Sequence, residues 1–269
     1  MAYFNDTYYS KFKKKIKGDI NIYASSEYNS DYKNTFSNLN ETIIKHLKKN
    51  DIVIYQFNFN DIIEIAKQNP EFKNEDLPNR GIINLINDTN KFRYKYLNYS
   101  SFFKLLQHHA SIAARNTKGT CKDRKIHALG PYTYGYFGKY YESKSQKLWD
   151  IFLNEIIITN KKLKTLDVSF FILIPPISLE VKNHEKTNKL KYDLNCSTKN
   201  GHKHIIKILT ENNINFIDAL PEFNNYMNKT INKSEYLFHS YDTNHPNEKG
   251  HELIAQAILK KLKQFSFIY

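Results

Sequence analysis

The sequence predicts an α/β protein built around a doubly wound, mostly parallel sheet. Three observations predict it: apolar runs of strand length alternate with helical patterns, the strands are apolar enough to be buried on both faces, and no linker rich in Pro, Gly or Ser divides the 269 residues. Alternation of this kind is typical of parallel sheets that helices cover on both sides. We therefore predict one domain over residues 1–269, with an insertion at about 62–141.

The first half of the chain contains one strand-helix-strand unit. Residues 19–24 form a short strand-like run, residues 31–49 carry apolar side chains at helical spacing, and residues 51–57 form a second, strongly apolar strand. This order and spacing are typical of a βαβ unit in a parallel sheet.

The second half repeats the alternation, because each helical pattern leads into a strand. Its predicted elements are a helix at about 145–161, a strand at 168–174 closed by Pro175-Pro176, a helix at about 202–212, a strand at 214–218, a helix-like segment at 221–227 and a terminal helix at about 250–265.

The predicted insertion at about 62–141 is too long for a simple crossover between two strands. It includes a loop rich in Gly and Tyr at 130–138. An insertion near the carboxyl ends of strands can supply a lid or a wall of a substrate site. The tyrosines suit stacking on sugar rings, although surface aromatic residues without a function are the more common case.

Lysine supplies nearly all of the positive charge. The formal net charge is +13, yet arginine occurs only at positions 80, 93, 115 and 124. Nucleic-acid readers favour arginine, whose guanidinium group binds phosphates and bases in a forked geometry. The abundance of Lys, Asn, Ile and Tyr is typical of an AT-rich coding sequence, so we expect no nucleic-acid partner.

The two cysteines predict neither a zinc site nor a disulfide framework. Cys121 and Cys196 lie far apart, without the spacing of metal ligands, although a single bridge between them stays open. The amino terminus lacks the apolar core of a signal peptide, and no run is long enough for a membrane span. The chain as written is expected to be cytoplasmic, and a true start upstream of Met1 would allow a secreted or periplasmic protein.

The most informative motif is Asp242-Thr243-Asn244-His245, directly before the terminal helix. A loop of this kind can hold a carboxylate against one ring nitrogen of the histidine and leave the other facing a substrate. We expect Pro246 to stiffen the loop and Asn247 to cap the helix. The alternative is a turn that Asp242 caps, with His245 merely exposed.

A second motif, Asn58-Phe59-Asn60-Asp61, follows the strand at 51–57. Residues just past the carboxyl end of a parallel strand line the active crevice of α/β enzymes. The Asn60 amide can donate a hydrogen bond to an oxyanion, whereas Asp61 is expected to hold the loop. The alternative is an ordinary Asn-Asp turn that ends a strand.

Together the two motifs resemble the SGNH (GDSL) hydrolase family, whose third block is a strand followed by G-x-N-D and whose last block is D-x-x-H. The last block matches without departure, and in the third block Asn58 replaces the glycine. Residues 21–28 are similar to the second block, and Ser26, or with less support Glu27, replaces its oxyanion-hole glycine. The resemblance runs from Ile20 to Leu262 and implies a three-layer α/β/α fold with a flavodoxin-like sheet.

The family's nucleophilic serine, in a G-D-S block ahead of the second block, has no counterpart before Asp19. Three interpretations stay open. The favoured one places the first strand and its serine upstream of Met1. The second takes Ser25 or Ser26 as the nucleophile, and the third is a catalytically inactive protein that keeps the fold.

The resemblance implies ester hydrolysis or acyl transfer through an acyl-serine intermediate. His245 would act as the base, Asp242 would hold its tautomer, and Asn60 with the backbone at Ser26 would form the oxyanion hole. No metal or organic cofactor is needed. The expected substrate is a small-molecule or carbohydrate ester, with O-acetyl groups preferred. The alternative function is an inactive SGNH-fold binding protein for a carbohydrate or a polyanionic partner.

Overall fold

A computed structural model describes the following residues of the chain: 11, 32–58, 61–62, 65, 142–182, 200–229, 236–239 and 245–265. Within them, three strands form one sheet: β1 (Ile52–Gln56), β2 (Ser169–Ile174) and β3 (Phe216–Asp218). Their order is β1-β2-β3, and both pairs are parallel. The predicted parallel α/β architecture is therefore confirmed for this part of the chain.

Helices of the described ranges lie before, between and after these strands. Their bounds are α1 Tyr32–Glu41, α2 Glu142–Lys164, α3 Asn200–Glu211, α4 Leu220–Lys229 and α5 Glu248–Gln264, with short 3-10 turns at Ile43–His46 and Ser178–Glu180. The predicted strand at 19–24 and nearly all of the predicted insertion at 62–141 lie outside the described residues.

One predicted helix is shorter than expected. The helical pattern at 31–49 gives an α-helix only as far as Glu41, followed by a 3-10 turn that ends at His46. The chain then turns towards β1, because the Asp51 carboxylate accepts a hydrogen bond from the Lys48 backbone N–H at 2.7 Å. A local side-chain bond of this kind competes with helix continuation.

Strand β2 is buried on both faces. Phe170, Ile172 and Ile174 belong to the hydrophobic cluster formed with α1, α2 and α3, while Phe171 and Leu173 belong to the cluster formed with α4 and α5. Alternate side chains of a strand point to opposite faces of its sheet. The helices therefore cover both sides of the sheet, as expected for a doubly wound arrangement.

Two helices end in the same motif just before a strand. Val168 N–H donates to the Leu163 carbonyl at 3.1 Å, and Ile214 N–H donates to the Leu209 carbonyl at 3.0 Å. Asp167 (φ 55°) and Asn213 (φ 52°) occupy the left-handed position that glycine usually fills in such a Schellman motif. The chain has few glycines, 8 in 269 residues. Asp and Asn, which tolerate the left-handed conformation, occupy the glycine positions of these two motifs.

We expect Asn213→Gly to raise the free energy of unfolding by about 0.5 kcal/mol, because glycine has no Cβ to strain at positive φ. Asn225→Gly, in the exposed middle of α4, is the control and should lower it by a few tenths of a kcal/mol. Urea denaturation measures both. Equal destabilisation by the two variants would show that the left-handed conformation at Asn213 carries no strain.

Candidate functional site at the carboxyl edge of the sheet

The loops that follow β1, β2 and β3 leave the sheet at one edge, where open parallel α/β sheets bind their ligands. The structure describes the positions of two candidate residues from the motifs. Asp61 lies in the loop after β1, and His245 lies just before α5. Asp242, Asn60, Ser25 and Ser26 lie outside the described residues. The predicted Asp242–His245 pair and oxyanion hole therefore stay predictions.

Asp61 fixes the loop after β1, as its sequence position predicts. Its Oδ2 accepts hydrogen bonds from the Tyr55 hydroxyl at 2.8 Å and from the Asn58 backbone N–H at 2.9 Å. The Asp61 N–H in turn donates to the Asn58 carbonyl at 2.8 Å. Because the Tyr55 ring packs on Phe36 with centroids 4.7 Å apart, the loop is tied to the hydrophobic core.

Backbone hydrogen bonds hold the segment that carries His245. The His239 N–H donates to the His245 carbonyl at 3.1 Å, and the Asn247 N–H donates to the Leu237 carbonyl at 3.0 Å. These bonds form an isolated antiparallel bridge between Phe238 and Pro246. The side chain of His245 is exposed, so solvent and small molecules reach it.

Asn247 joins this segment to α5. Its side-chain oxygen accepts a hydrogen bond from the Gly250 N–H at 3.0 Å, which confirms the predicted helix cap. Its amide group donates to the Tyr236 carbonyl. One side chain thus forms hydrogen bonds with backbone groups of both the first turn of the helix and the neighbouring strand-like segment.

Gly250 permits a close approach that sequence reasoning missed. A Cβ atom at this position would lie 2.4 Å from the Leu237 carbonyl oxygen and 2.7 Å from the Pro246 Cβ. Neither neighbour is the far end of a flexible side chain, so neither can move away cheaply. The segment before α5 therefore packs directly against the first turn of that helix. The same added Cβ atom would also lie 3.5 Å from the Phe223 ring of α4.

A buried charged cluster, also missed by sequence reasoning, joins the ends of β2 and β3. His202, in the first turn of α3, places its Nε2 2.9 Å from Asp218 Oδ1 and its Nδ1 3.5 Å from Glu180 Oε2. His202 is 3% exposed and Glu180 2% exposed. The shorter contact is a hydrogen bond, and the longer one is an ion pair at a distance that is long for a hydrogen bond.

Both carboxylates of this cluster also bind the backbone. Glu180 Oε2 accepts from the Ile177 N–H at 2.9 Å, and Asp218 Oδ1 accepts from the Leu220 N–H at 2.9 Å. Asp218 thus anchors the start of α4. His202 links these two loops to α3. The cluster therefore holds the segments after β2 and β3 together at the carboxyl edge.

His202 carries a positive charge at neutral pH. Burial by itself lowers the pKa of the imidazole, but the hydrogen bond to Asp218 and the nearby Glu180 carboxylate outweigh it and raise that pKa to about 9. A cation is also unfavourable at the amino end of a helix, so the two carboxylates offset that cost as well. A histidine that is already protonated cannot accept a proton as a general base, and we assign His202 a structural role.

The described residues hold no cluster of three or more His, Cys, Asp or Glu side chains arranged for a metal ion. Likewise, none of the described helices has the length and apolar character needed to cross a membrane.

The stability contributed by His202 should fall as the pH rises. The folded state binds this proton more tightly than the unfolded chain, in which the pKa is about 6.5. The contribution is therefore fully present below about pH 6.5 and is lost as the pH rises through about 9. We expect His202→Gln to lower the free energy of unfolding by several kcal/mol at pH 6, because the buried Glu180 and the partly buried Asp218 lose their counter-charge, and by clearly less at pH 9.

Urea denaturation of wild type and variant at pH 6, 7.5 and 9 measures this difference. His46→Gln, at an exposed position, serves as the control and should change little at any pH. A destabilisation by His202→Gln that is the same at pH 6 and pH 9 would contradict a charged His202 in the folded protein.

Gly250→Ala should lower the free energy of unfolding by roughly 1–3 kcal/mol, because the added methyl group must displace backbone or the Pro246 ring. The sign of this change distinguishes the close contact from an open site, since Gly→Ala in an unobstructed helix raises the free energy of unfolding by about 1 kcal/mol. Thermal or urea denaturation decides between the two. A stabilised variant would show that the segment before α5 does not pack as closely as described.

Comparisons with known proteins place few limits on the function. No family model matches the chain, and no curated protein matches its sequence. A crystal structure of the Bacillus subtilis protein YxiM is similar to part of the chain, with 17% sequence identity and a TM-score of 0.31. The similarity covers 47% of this chain and 34% of YxiM. The chain therefore spans about a third of that protein's length, and a similarity this weak supports no conclusion about fold or function.

Proposed function

We propose that the protein is an SGNH-type serine hydrolase that acts on ester bonds. The observation that carries this proposal is the motif from Asp242 to His245, directly before a helix packed on a parallel sheet. The second motif, which ends at Asp61, follows β1 of the same sheet. The described ends of the two motifs support the proposal, because Asp61 follows β1 and His245 lies directly before α5.

The proposed reaction is acyl transfer through a serine. His245 takes the proton of the serine hydroxyl, and Asp242 holds the imidazole in the correct tautomer. The amide of Asn60 and the backbone N–H of Ser26 donate to the oxyanion of the tetrahedral intermediate. The exposure of His245 supports this role, because a base must reach both the nucleophile and the substrate.

Ser25 and Ser26 are the candidate nucleophiles. The serine oxygen attacks the ester carbonyl, the ester C–O bond breaks, and the alcohol leaves with the proton that His245 took from the serine. Water or a second hydroxyl compound, deprotonated in turn by His245, then takes the acyl group and frees the serine. Carbohydrate O-acetyl groups are the preferred substrate class, since the tyrosines of residues 130–138 offer aromatic rings for stacking on sugars.

Purified protein should hydrolyse 4-nitrophenyl acetate, and His245→Ala should lower kcat/KM by roughly 1,000-fold or more because the general base is lost. His46→Ala is the matched control, an exposed histidine in the turn before β1, and should leave turnover unchanged. Urea denaturation of His245→Ala checks that the variant is folded under the assay conditions, so that a loss of turnover reports on the base.

A fluorophosphonate probe followed by peptide mass spectrometry identifies the nucleophile, and an adduct on Ser25 or Ser26 would assign it. Turnover that survives His245→Ala would contradict the proposed base. A folded protein with neither turnover nor adduct would contradict the hydrolase proposal and favour the inactive SGNH-fold binding protein.

A further inference from the structure

The edge of the sheet opposite the candidate site forms one continuous surface. We define the amino-end rim as residues 41–51, 161–167 and 207–215, where helices end and strands begin, together with residues 260–265 at the end of α5. Hydrogen bonds join the first three through the sheet, since the Asn50 N–H donates to the Asp167 carbonyl at 2.9 Å and the Ile172 N–H donates to the Asn215 carbonyl at 3.0 Å.

The fourth segment, at the end of α5, reaches the same edge. The Lys261 ammonium lies 5.7 Å from the ring centroid of Phe216, the first residue of β3. Phe265 packs edge-on against Phe171 of β2, with ring centroids 5.3 Å apart. The end of α5 thus lies beside the beginnings of the strands.

Positive charge concentrates on this rim. Its four segments contain ten lysines, four acidic residues and no arginine. One of the ten, Lys260, places its ammonium 2.8 Å from Glu222 near the start of α4. By contrast, the described residues at the carboxyl edge (57–58, 61–62, 175–182, 200–203, 218–222 and 245–252, with Lys11, which pairs with Glu248) contain four lysines and six acidic residues. Among the described residues, lysine is therefore more frequent on the rim.

Two of the four acidic residues of the rim are already paired with lysines of the rim. Lys49 Nζ lies 3.1 Å from Asp167 Oδ2, and Lys207 Nζ lies 3.8 Å from Glu211 Oε1. These surface pairs contribute little to stability. Their stability contribution therefore gives no reason for so many lysines on one edge.

Large apolar side chains are exposed among these lysines. Leu166, in the turn before β2, and Phe265, just past α5, are each 42% exposed. The Lys261 ammonium lies 5.3 Å from the Phe265 ring centroid. Lysines surrounding exposed Leu and Phe side chains are typical of surfaces that bind the interface of an anionic bilayer.

We propose that the amino-end rim docks this protein on the surface of an anionic lipid bilayer. Lysine suits this partner, because its ammonium acts as a point charge that needs no fixed headgroup geometry. Each lysine close to such a surface gains from its negative potential, while Leu166 and Phe265 enter the boundary between headgroups and acyl chains. The docking does not depend on the proposed hydrolase activity.

Co-sedimentation with phosphatidylcholine vesicles that contain 30% phosphatidylserine tests the proposal. The protein binds these vesicles in low salt, binds less in 0.5 M NaCl and does not bind vesicles of phosphatidylcholine alone. The variant Lys161→Gln/Lys164→Gln/Lys263→Gln weakens binding by about fivefold per lysine. Leu166→Gln weakens vesicle binding further. In 0.5 M NaCl, protein with Leu166→Gln binds the vesicles less than wild type does.

The matched control is Lys182→Gln/Lys203→Gln/Lys229→Gln, which removes the same charge from exposed lysines outside the rim. It should change binding by less than about twofold. Equal losses from the two triple variants would overturn the proposal, because net charge alone would then explain the binding. Binding to heparin or single-stranded DNA without binding to the vesicles would also overturn it, in favour of a polyanionic polymer.

Discussion

The burial of β2 on both faces is the constraint on which the rest of the structure depends. Its residues from Phe170 to Ile174 are at most 1% exposed, so helices must cover both sides of the sheet and strands must flank it. A strand enclosed in this way has no freedom to slip by one residue, because a slip would exchange its two faces. The residues at which the chain enters and leaves the sheet are therefore fixed. Polar side chains are confined to the two edges of the sheet at which its strands begin and end.

The two edges use that fixed geometry in different ways. At the carboxyl edge, His202 and two carboxylates form a cluster with one more negative than positive charge, and the cluster is buried and bonded to the backbone. At the opposite edge, the lysines lie at helix ends, where the helix dipoles favour cations. The fold therefore accommodates acidic groups inside one edge and basic groups outside the other.

Much of this arrangement can be predicted from the sequence. The strands lie within two residues of their predicted bounds, because a buried strand is a short apolar run between polar turns. Helix bounds are less exact: α2 extends from Glu142 to Lys164 rather than from 145 to 161. Its ends are polar, and hydrophobic periodicity does not report on them. The cap at Asn247 and the anchoring role of Asp61 follow from local chemistry and are confirmed.

The remaining features depend on tertiary packing. Glu180 and His202 are 22 residues apart along the chain, and His202 and Asp218 are 16 apart. In the sequence, His202 is simply a polar residue at a helix start. Gly250 likewise reads as a helix-initiating residue, and only the position of the Leu237 carbonyl explains it. The partners proposed for His245 stay predictions, since Asp242 and Asn60 lie outside the described residues.

The backbone bond at His245 and the close approach at Gly250 constrain the sequence of this segment in different ways. The His239 N–H donates to the His245 carbonyl, a group that every amino acid carries, so this bond places no requirement on the residue type at position 245. At position 250, by contrast, any residue with a Cβ atom would meet the Leu237 carbonyl oxygen. The attachment of this segment to α5 is therefore encoded by the absence of a side chain at position 250 and not by the residue type at position 245.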